Sequence, residues 1–236
     1  MLSRGGAKPL FGLLLDPEKY STEAIEKISI QSASYGVDII LVGGSLVQSD
    51  MGQAIQSIRQ SCNLPVILFP GHPLQFVATA DALLMLSLIS GRNPEHLIGN
   101  HVHIAAAVKR SGMEVIPTGY MLVDGGAPTS VQYVSNTMPI PWQKNDIAVA
   151  TAMAGELLGL RLIYLEAGSG AKQPVHPSMV RAVTEGVGIP VAVGGGIRTP
   201  AQVKDAANAG ASMVVVGNAV EVSPKELPAL VDACKG

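Results

Sequence analysis

Two glycine-rich turns near the C-terminal end constrain the fold of this chain more than any other feature of its sequence. Gly194-Gly195-Gly196 directly follows the β-branched run 191–193, and Gly217-Asn218 follows the run 213–216. One helix-length segment, 200–210, lies between the two turns. Glycines there leave backbone N–H groups bare, and the N-terminus of a following helix adds partial positive charge. The pattern predicts a phosphate site at the ends of adjacent parallel strands, as in the loops after strands 7 and 8 of a (β/α)8 barrel.

The rest of the sequence alternates strand-like runs with helix-like segments, which predicts a parallel sheet of the α/β class. Predicted strands cover residues 10–15, 37–42, 65–69, 82–86, 114–118, 162–166, 191–193 and 212–216. Predicted helices cover residues 22–35, 50–61, 94–110, 146–160 and 200–210, and a last helix ends near Ala233.

The prediction is therefore a modified (β/α)8 TIM barrel, formed as a single domain over residues 1–236. The length of 236 residues suits this fold, which typically takes about 250. Residues 70–81 are too few for a full helix with two loops, so we expect the third helix to be shortened or absent. Residues 119–141 are rich in Gly, Pro, Ser and Thr, and a loop of this length in a compact domain is usually functional.

Composition narrows the class of protein. Apolar residues make up 47% of the chain and charged residues 14%, which favours a large core over disorder. The net charge of −2 gives no basic field for nucleic acid. Cys62 and Cys234 do not form a disulfide or metal-binding pattern. The residues after Met1 are unlike a signal peptide, and no apolar run is long enough for a membrane span, so we expect a cytoplasmic protein.

The motif from Tyr164 to Ala171 carries the most specific chemical signal in the sequence. Because side chains alternate along a strand, Tyr164 and Glu166 point to the same side. The Gly-Ser-Gly sequence that follows can wrap an anion with backbone N–H groups and one hydroxyl. A carboxylate beside a phosphate cradle indicates a ligand with both phosphate and hydroxyl groups, with Glu166 to orient or deprotonate a hydroxyl and Tyr164 as a further polar contact.

A second polar group is expected across the barrel mouth. Asp16 ends the first predicted strand, next to the Gly43-Gly44-Ser45 turn after the second. Mg²⁺ typically takes one or two protein oxygens and completes its shell with water and substrate phosphates. Such a site would indicate a second substrate that carries a diphosphate.

Structural alternatives stay open for each of these residues taken singly. Asp16 could be a helix-capping residue before Pro17 and Glu18, and Ser45 could cap the helix at 50–61. Glu166 could be a salt-bridged surface residue, and the glycines could be tight packing corners.

Seven motifs in order cover nearly the whole chain, and together they resemble the geranylgeranylglyceryl phosphate synthase family. Members of that family have a barrel whose third helix is lost or replaced, and they join sn-glycerol 1-phosphate to a long prenyl diphosphate through an ether bond. The motifs lie at residues 15–19, 42–45, 69–71, 117–120, 164–171, 194–199 and 216–218.

The resemblance implies roles for individual residues. Asp16 and Ser45 would hold Mg²⁺ on the diphosphate, and Glu166, with Tyr164, would act on the attacking glycerol hydroxyl. Some members carry a Lys two positions before the metal-binding Asp, whereas this chain has Leu14, which indicates the branch of the family that lacks this Lys. The implied glycerol 1-phosphate contacts are Tyr164, Leu165, Glu166, Ala167, Gly168, Ser169, Gly170, Gly195, Gly196, Gly217 and Asn218.

The resemblance also implies partners. The donor would be a polyprenyl diphosphate, with geranylgeranyl diphosphate expected, and its tail would need an apolar groove, which we place under the missing third helix. Apolar outer helices favour a homo-oligomer. Peripheral contact with the membrane that receives the lipid product fits the same activity, and nucleic acid is not an expected partner.

Two other functions compete with this one. A phosphate-sugar isomerase or lyase usually shows a Lys or paired carboxylates at the central strand ends, where this chain has Ser87 and Thr118. A non-catalytic barrel that binds a phospholigand would keep the glycine turns and have no need of Asp16. His96, His101 and His103 share a predicted helix at spacings that do not give one face, so we expect them at the surface or an interface.

Overall fold

Eight parallel strands close into a barrel in which every strand pairs with its neighbours in chain order. The structure is a computed structural model that describes residues 8–236; the N-terminal stretch judged unlike a signal peptide falls largely outside them. The predicted (β/α)8 barrel is confirmed. The strands are β1 (Leu10–Leu15), β2 (Ile39–Val42), β3 (Val66–Leu68), β4 (Ala82–Leu88), β5 (Glu114–Leu122), β6 (Leu162–Glu166), β7 (Val191–Gly194) and β8 (Met213–Val216).

Helices cover the outside of the barrel. None of those formed by residues 8–236 combines the length and apolar character needed to cross a membrane. The helices are α1 (Thr22–Ser34), α2 (Met51–Ser61), α3 (Asn100–Ser111), α4 (Ser130–Ser135), α5 (Asn145–Leu157), α6 (Pro177–Gly186), α7 (Pro200–Asn208), α8 (Asn218–Val222) and α9 (Leu227–Lys235).

Alternation along the strands divides the core into two layers. Leu41 and Tyr164 belong to the cluster that fills the barrel, whereas Leu13 and Leu165 pack between the strands and the helices. Gly12 makes room inside, because a Cβ there would lie 2.7 Å from Cδ1 of Leu41. The interior is therefore packed with side chains, and a ligand has to bind at the strand ends.

The third helix is absent, as predicted. Between β3 and β4 the described chain forms only one 3₁₀ turn, Pro73–Gln75. On this side of the barrel a single 3₁₀ turn therefore packs where a full helix would otherwise cover the strands.

Several parts of the chain differ from the sequence prediction. β5 runs four residues beyond the predicted strand end at Thr118, to Leu122, and the predicted loop 119–141 contains α4. Gly119 looks like a break, but a Cβ there would lie 2.8 Å from Cδ1 of Ile89, so the glycine allows close packing within a continuing strand. α6 was not predicted at all. The predicted helix 94–110 begins with a π-helical turn, Glu95–Gly99, before α3.

Candidate active site at the carboxyl ends of the strands

One cavity of about 320 Å³ opens at the carboxyl ends of the strands. Its volume lies in the range of small-molecule sites. It brings together ten of the residues singled out from the sequence: Asp16, Ser45, Tyr164, Glu166, Ser169, Gly170, Gly195, Gly196, Gly217 and Asn218.

Glu166 ends β6 and is 6% exposed, so the alternative of a salt-bridged surface residue is wrong. Its Oε1 accepts a hydrogen bond of 2.7 Å from the N–H of Gly168. Burial raises the pKa of Glu166 to about 7, and the Gly168 hydrogen bond opposes part of that rise. A carboxyl group with this pKa can hold or release a proton near neutral pH, as a general base requires.

The glycine turns form the wall beside Glu166. Gly195 and Gly196 take φ values of +79° and +69°, which L side chains rarely adopt. A Cβ on Gly195 would overlap Oε1 of Glu166, so this glycine is both a packing corner and part of the cavity wall. Ser169 donates a 3.2 Å hydrogen bond to Oδ1 of Asn218, which joins the loops after β6 and β8. Consecutive glycines in such conformations make anion-binding concavities.

Three residues of the predicted motif stand outside the cavity lining. The side chains of Leu165 and Ala167 pack in the layer between strands and helices. Gly168 uses its N–H for Glu166, and a Cβ there would lie 2.5 Å from Cγ2 of Thr129. As ligand contacts, Leu165 and Ala167 have only their backbone atoms to offer.

Tyr164 is wholly buried, with its ring stacked between two others. The ring centroids lie 5.0 Å from Phe69 and 5.7 Å from Tyr120. The Tyr164 hydroxyl has no hydrogen-bond partner among residues 8–236. Burial first, and then the charge of Glu166, raise the pKa of Tyr164 well above its usual value. An unpaired buried hydroxyl is costly, and a polar ligand in the cavity would pair it.

Asp16 has a structural task in addition to its place in the cavity. Its Oδ1 accepts a 3.2 Å hydrogen bond from the N–H of Glu18 and caps the short 3₁₀ turn Pro17–Lys19, as the structural alternative proposed. The Ser45 alternative is wrong, because Asp50 caps α2 and accepts from Gln53 at 3.1 Å.

The Asp16 side of the cavity fits a hard divalent cation, though with few protein ligands. Desolvation raises the pKa of Asp16, so its surroundings leave the carboxylate charge under-compensated and favour a cation beside it. Residues 8–236 contain no group of three or more His, Cys, Asp or Glu side chains arranged for a metal. A cation held by Asp16 and Ser45 would need the rest of its ligands from water and substrate, as Mg²⁺ commonly does.

The loops around Asp16 are held by two side chains that the sequence did not single out. Glu18 accepts from the N–H groups of Gln48 and Ser49, in the loop that follows Ser45. The buried Gln75 donates to the carbonyl of Gly44 at 3.0 Å and accepts from the N–H of Gly71 at 2.9 Å. The 3₁₀ turn that replaces the third helix therefore positions this side of the cavity. No local signal in the sequence identifies Gln75.

The cavity has an apolar wall on the side where the third helix is missing. It lies where the sequence prediction placed the prenyl groove. Its side chains come from the segment before β4, from β4 itself, and from α3 and α4: Phe76, Met85, Leu86, Leu88, Ile104, Val131 and Val134.

The prediction that the histidine spacings give no common face is wrong for His96 and His101, which both line the cavity. His101 Nε2 lies 2.7 Å from the carbonyl of Leu86, and Asn100 Nδ2 lies 3.3 Å from His96 Nδ1. The wider π-helical turn brings residues five apart onto one face, and no sequence signal announced it. His103 is exposed, as predicted.

Two cationic side chains also line the cavity. Lys19 Nζ lies 2.9 and 3.0 Å from the carboxylate oxygens of Glu221, and 3.8 Å from Oδ2 of Asp16. Arg198 donates to the carbonyls of Ala171 and Lys172 and so fixes the end of the loop after β6. The sequence could not predict the Lys19–Glu221 ion pair or the Arg198 hydrogen bonds, because each joins segments that are distant along the chain.

Comparison with known proteins identifies the family. The PcrB family model matches residues 8–234. The chain belongs to the PcrB family. Among PcrB-family relatives, a geranylgeranylglyceryl phosphate synthase from Spirosoma linguale is 52% identical over 221 residues, which cover 93% of this chain and 89% of the relative. One of the same name from Thermococcus gammatolerans is 44% identical over 211 residues, covering 89% and 83%.

The PcrB-family chain is also similar to a solved structure. The (S)-3-O-geranylgeranylglyceryl phosphate synthase of Thermoplasma acidophilum, in complex with its substrate sn-glycerol-1-phosphate, superposes with a TM-score of 0.91. The two chains are 35% identical, and the match covers 97% of this chain and 94% of the other. The family resemblance predicted from the seven motifs is confirmed.

Proposed function

We propose that this protein is a prenyltransferase that forms an ether bond between sn-glycerol 1-phosphate and a long-chain polyprenyl diphosphate, with geranylgeranyl diphosphate as the expected donor. One observation carries the proposal: Asp16 and Glu166 line a single cavity, with glycine turns beside Glu166 and an apolar wall behind. An isomerase or lyase is less well supported, since the described cavity wall has no Lys at the ends of β4 and β5.

The acceptor would bind on the Glu166 side. The turns at Gly195-Gly196 and Gly217-Asn218, with Ser169, would hold the phosphate, and the glycerol hydroxyl would then lie within reach of Glu166. The Thermoplasma acidophilum relative is crystallised with this acceptor, which supports the assignment. Fixing the hydroxyl against the donor can lower the barrier by about 7 to 11 kcal/mol.

The reaction breaks the bond between the allylic carbon and the diphosphate, and the electron pair leaves with the diphosphate. The glycerol oxygen forms the new bond to that carbon, and its proton passes to the carboxylate of Glu166. A divalent cation such as Mg²⁺, held by Asp16 and Ser45, would supply Lewis-acid stabilisation of the leaving group. Burial raises the pKa of Glu166 to about 7, which makes its carboxylate a stronger base for this proton.

Two surface features support partners for the same activity. Leu157 and Leu158, at the end of α5, are 88% and 79% exposed, which suits a contact between copies of the chain. Leu74 and Tyr133 are each 89% exposed, and each neighbours residues of the cavity lining, which suits peripheral contact with a membrane. A cytoplasmic location fits both.

The decisive experiment combines purified protein, Mg²⁺, glycerol 1-phosphate and radiolabelled prenyl diphosphates of C15 to C35, with products separated by thin-layer chromatography. We expect an ether-linked lipid phosphate with at least one donor and its loss on adding EDTA. Absence of product with every donor, while glycerol 1-phosphate still binds, would instead favour a non-catalytic phospholigand barrel.

A matched pair of variants tests the division of the cavity. Asp16→Ala should abolish turnover and leave glycerol 1-phosphate binding within twofold by calorimetry, whereas the exposed Asp232→Ala should change neither. Loss of both turnover and acceptor binding in Asp16→Ala would mean that the Asp16 cap is only structural.

A further inference from the structure

The ion pair between Lys19 and Glu221 lies in the cavity wall and joins the segments that follow the neighbouring strands β1 and β8. Lys19 ends the 3₁₀ turn that Asp16 caps, and Glu221 lies in α8, three residues after Asn218. The Lys19 ammonium contacts both carboxylate oxygens of Glu221, at 2.9 and 3.0 Å, and lies 3.8 Å from Asp16. The pair thus joins the loop expected to face the donor to the loop expected to face the acceptor.

The Lys19 ammonium is one of few positive charges in the described cavity lining. Three carboxylates line a cavity that would receive two phosphate-bearing substrates: Asp16, Glu166 and Glu221. Arg198 is engaged with backbone carbonyls on the acceptor side. The described lining contains one Lys and one Arg, and Lys19 is the one that lies beside Asp16, where the donor diphosphate is expected.

Leu14 occupies the position in β1 two residues before Asp16. This apolar side chain packs towards Gly217, where an added Cβ would lie 3.5 Å from the Cβ of Leu14. The strand end before Asp16 offers no positive charge, while Lys19 brings one to the same side from three residues after it.

We propose that Lys19 binds the diphosphate of the prenyl donor and that Glu221 is a positioning residue that holds the ammonium over the cavity until the donor arrives. This inference rests on the proposed function and names a donor contact within it. The Lys19 and Glu221 side chains are 37% and 15% exposed, and an ion pair in contact with water is weak. Diphosphate oxygens, with more negative charge than one carboxylate, can therefore compete for Lys19.

Tyr20 directly follows Lys19 and lies close to the same group of charges. Its hydroxyl is buried and has no hydrogen-bond partner among residues 8–236. Burial first, and then the charges of Glu221 and Asp16, raise the pKa of Tyr20, which indicates that both carboxylates are close to it.

The test measures two anions separately on the full chain. Inorganic diphosphate with Mg²⁺ probes the donor side by calorimetry, and glycerol 1-phosphate probes the acceptor side. For Lys19→Met we expect the affinity for diphosphate to fall, and the donor KM to rise, by about 10- to 100-fold. This is the range for a lost hydrogen bond to a charged group. Glycerol 1-phosphate binding should stay within twofold, and Lys19→Arg should recover most of the diphosphate affinity. Glu221→Gln should raise the donor KM by a smaller factor, and the exposed Lys27→Met serves as the charge-matched control.

Two results would overturn the inference. One is unchanged diphosphate affinity in Lys19→Met. The other is an equal loss of affinity for both anions with a lower Tm, which would mean that Lys19 only ties the two loops together. If the wild-type protein binds diphosphate through Lys19 and yet forms no ether product with any donor, the proposed function fails and the diphosphate site stands.

Discussion

Glu166 should reduce the stability of the empty protein, and Glu166→Gln tests this directly. The folded chain holds this carboxyl at a pKa of about 7 because burial disfavours its charged form, whereas its ordinary value is 4.5. The folded state therefore binds more protons than the unfolded state between these two values. The stability that the protein has when Glu166 is protonated is therefore fully present below about pH 4.5, and it is lost as the pH rises through 7 and Glu166 ionises.

The size of the effect follows from the shift. Each pKa unit corresponds to about 1.4 kcal/mol, so ionising Glu166 lowers the free energy of unfolding by about 3 kcal/mol at pH 8 and by about 1 kcal/mol at pH 5. Glutamine has nearly the same shape, and its carbonyl can accept the hydrogen bond from Gly168. Any cost of burying its amide is independent of pH, so the gain from Glu166→Gln should be larger at pH 8 than at pH 5 by about 2 kcal/mol, or roughly 4 to 8 °C in Tm.

Urea and thermal unfolding at pH 5.0, 6.5 and 8.0, followed by circular dichroism, measure this difference. Glu185→Gln, at an exposed position on α6, is the control and should show no pH-dependent gain. The same Glu166→Gln protein should be inactive in the prenyl transfer assay. The reasoning is refuted if the stability of Glu166→Gln relative to the parent is the same at pH 5 and pH 8.

Three further predictions concern the same cavity wall. The rate of prenyl transfer at low substrate should fall about tenfold per pH unit below the Glu166 pKa of about 7, and an unchanged rate at pH 5.5 would exclude Glu166 as the base. Gly195→Ala should lower the activity by about tenfold or more, because its Cβ would displace the Glu166 carboxylate. The control is Gly159→Ala: Gly159 has a similar φ of +87° with open space around it, so this change should introduce backbone strain and leave the activity unchanged. Tyr164→Phe should raise the free energy of unfolding of the empty protein by about 1 kcal/mol, since its hydroxyl is unpaired, and should raise the acceptor KM; the exposed Tyr133→Phe should change neither.

The barrel and much of its rim were predictable because their signals are local. The glycine turns after β7 and β8 lie next to the strands they end, and period-2 alternation alone sets Tyr164 and Glu166 on one side of β6. The missing third helix followed from chain length between two strands. Each of these inferences needs only a few consecutive residues.

The sequence could not predict features that depend on packing between distant segments. Gly119 looked like a strand end, yet β5 continues to Leu122, so Tyr120 was not expected beside Tyr164. His96 and His101 come together through a π-helical turn, whose extra residue has no signature in residue type. Lys19 and Glu221 are 202 residues apart, and only closure of β1 against β8 brings them into contact.

Several destabilising features lie together at this end of the barrel. Burial disfavours the charged form of Glu166, and Tyr164 and Tyr20 bury hydroxyls that have no hydrogen-bond partner in the described part of the chain. Gly195 holds a backbone conformation that other residues rarely adopt. A barrel under selection for stability alone would fill or pair these groups, as the apolar interior below them is filled. Two of these groups, the Tyr164 hydroxyl and the Glu166 carboxyl, line the cavity and would gain hydrogen-bond partners from a polar, phosphate-bearing ligand there. Saturating glycerol 1-phosphate should therefore raise the Tm of the wild-type protein, and Tyr164→Phe and Gly195→Ala should each reduce that rise, since both remove part of what the ligand restores.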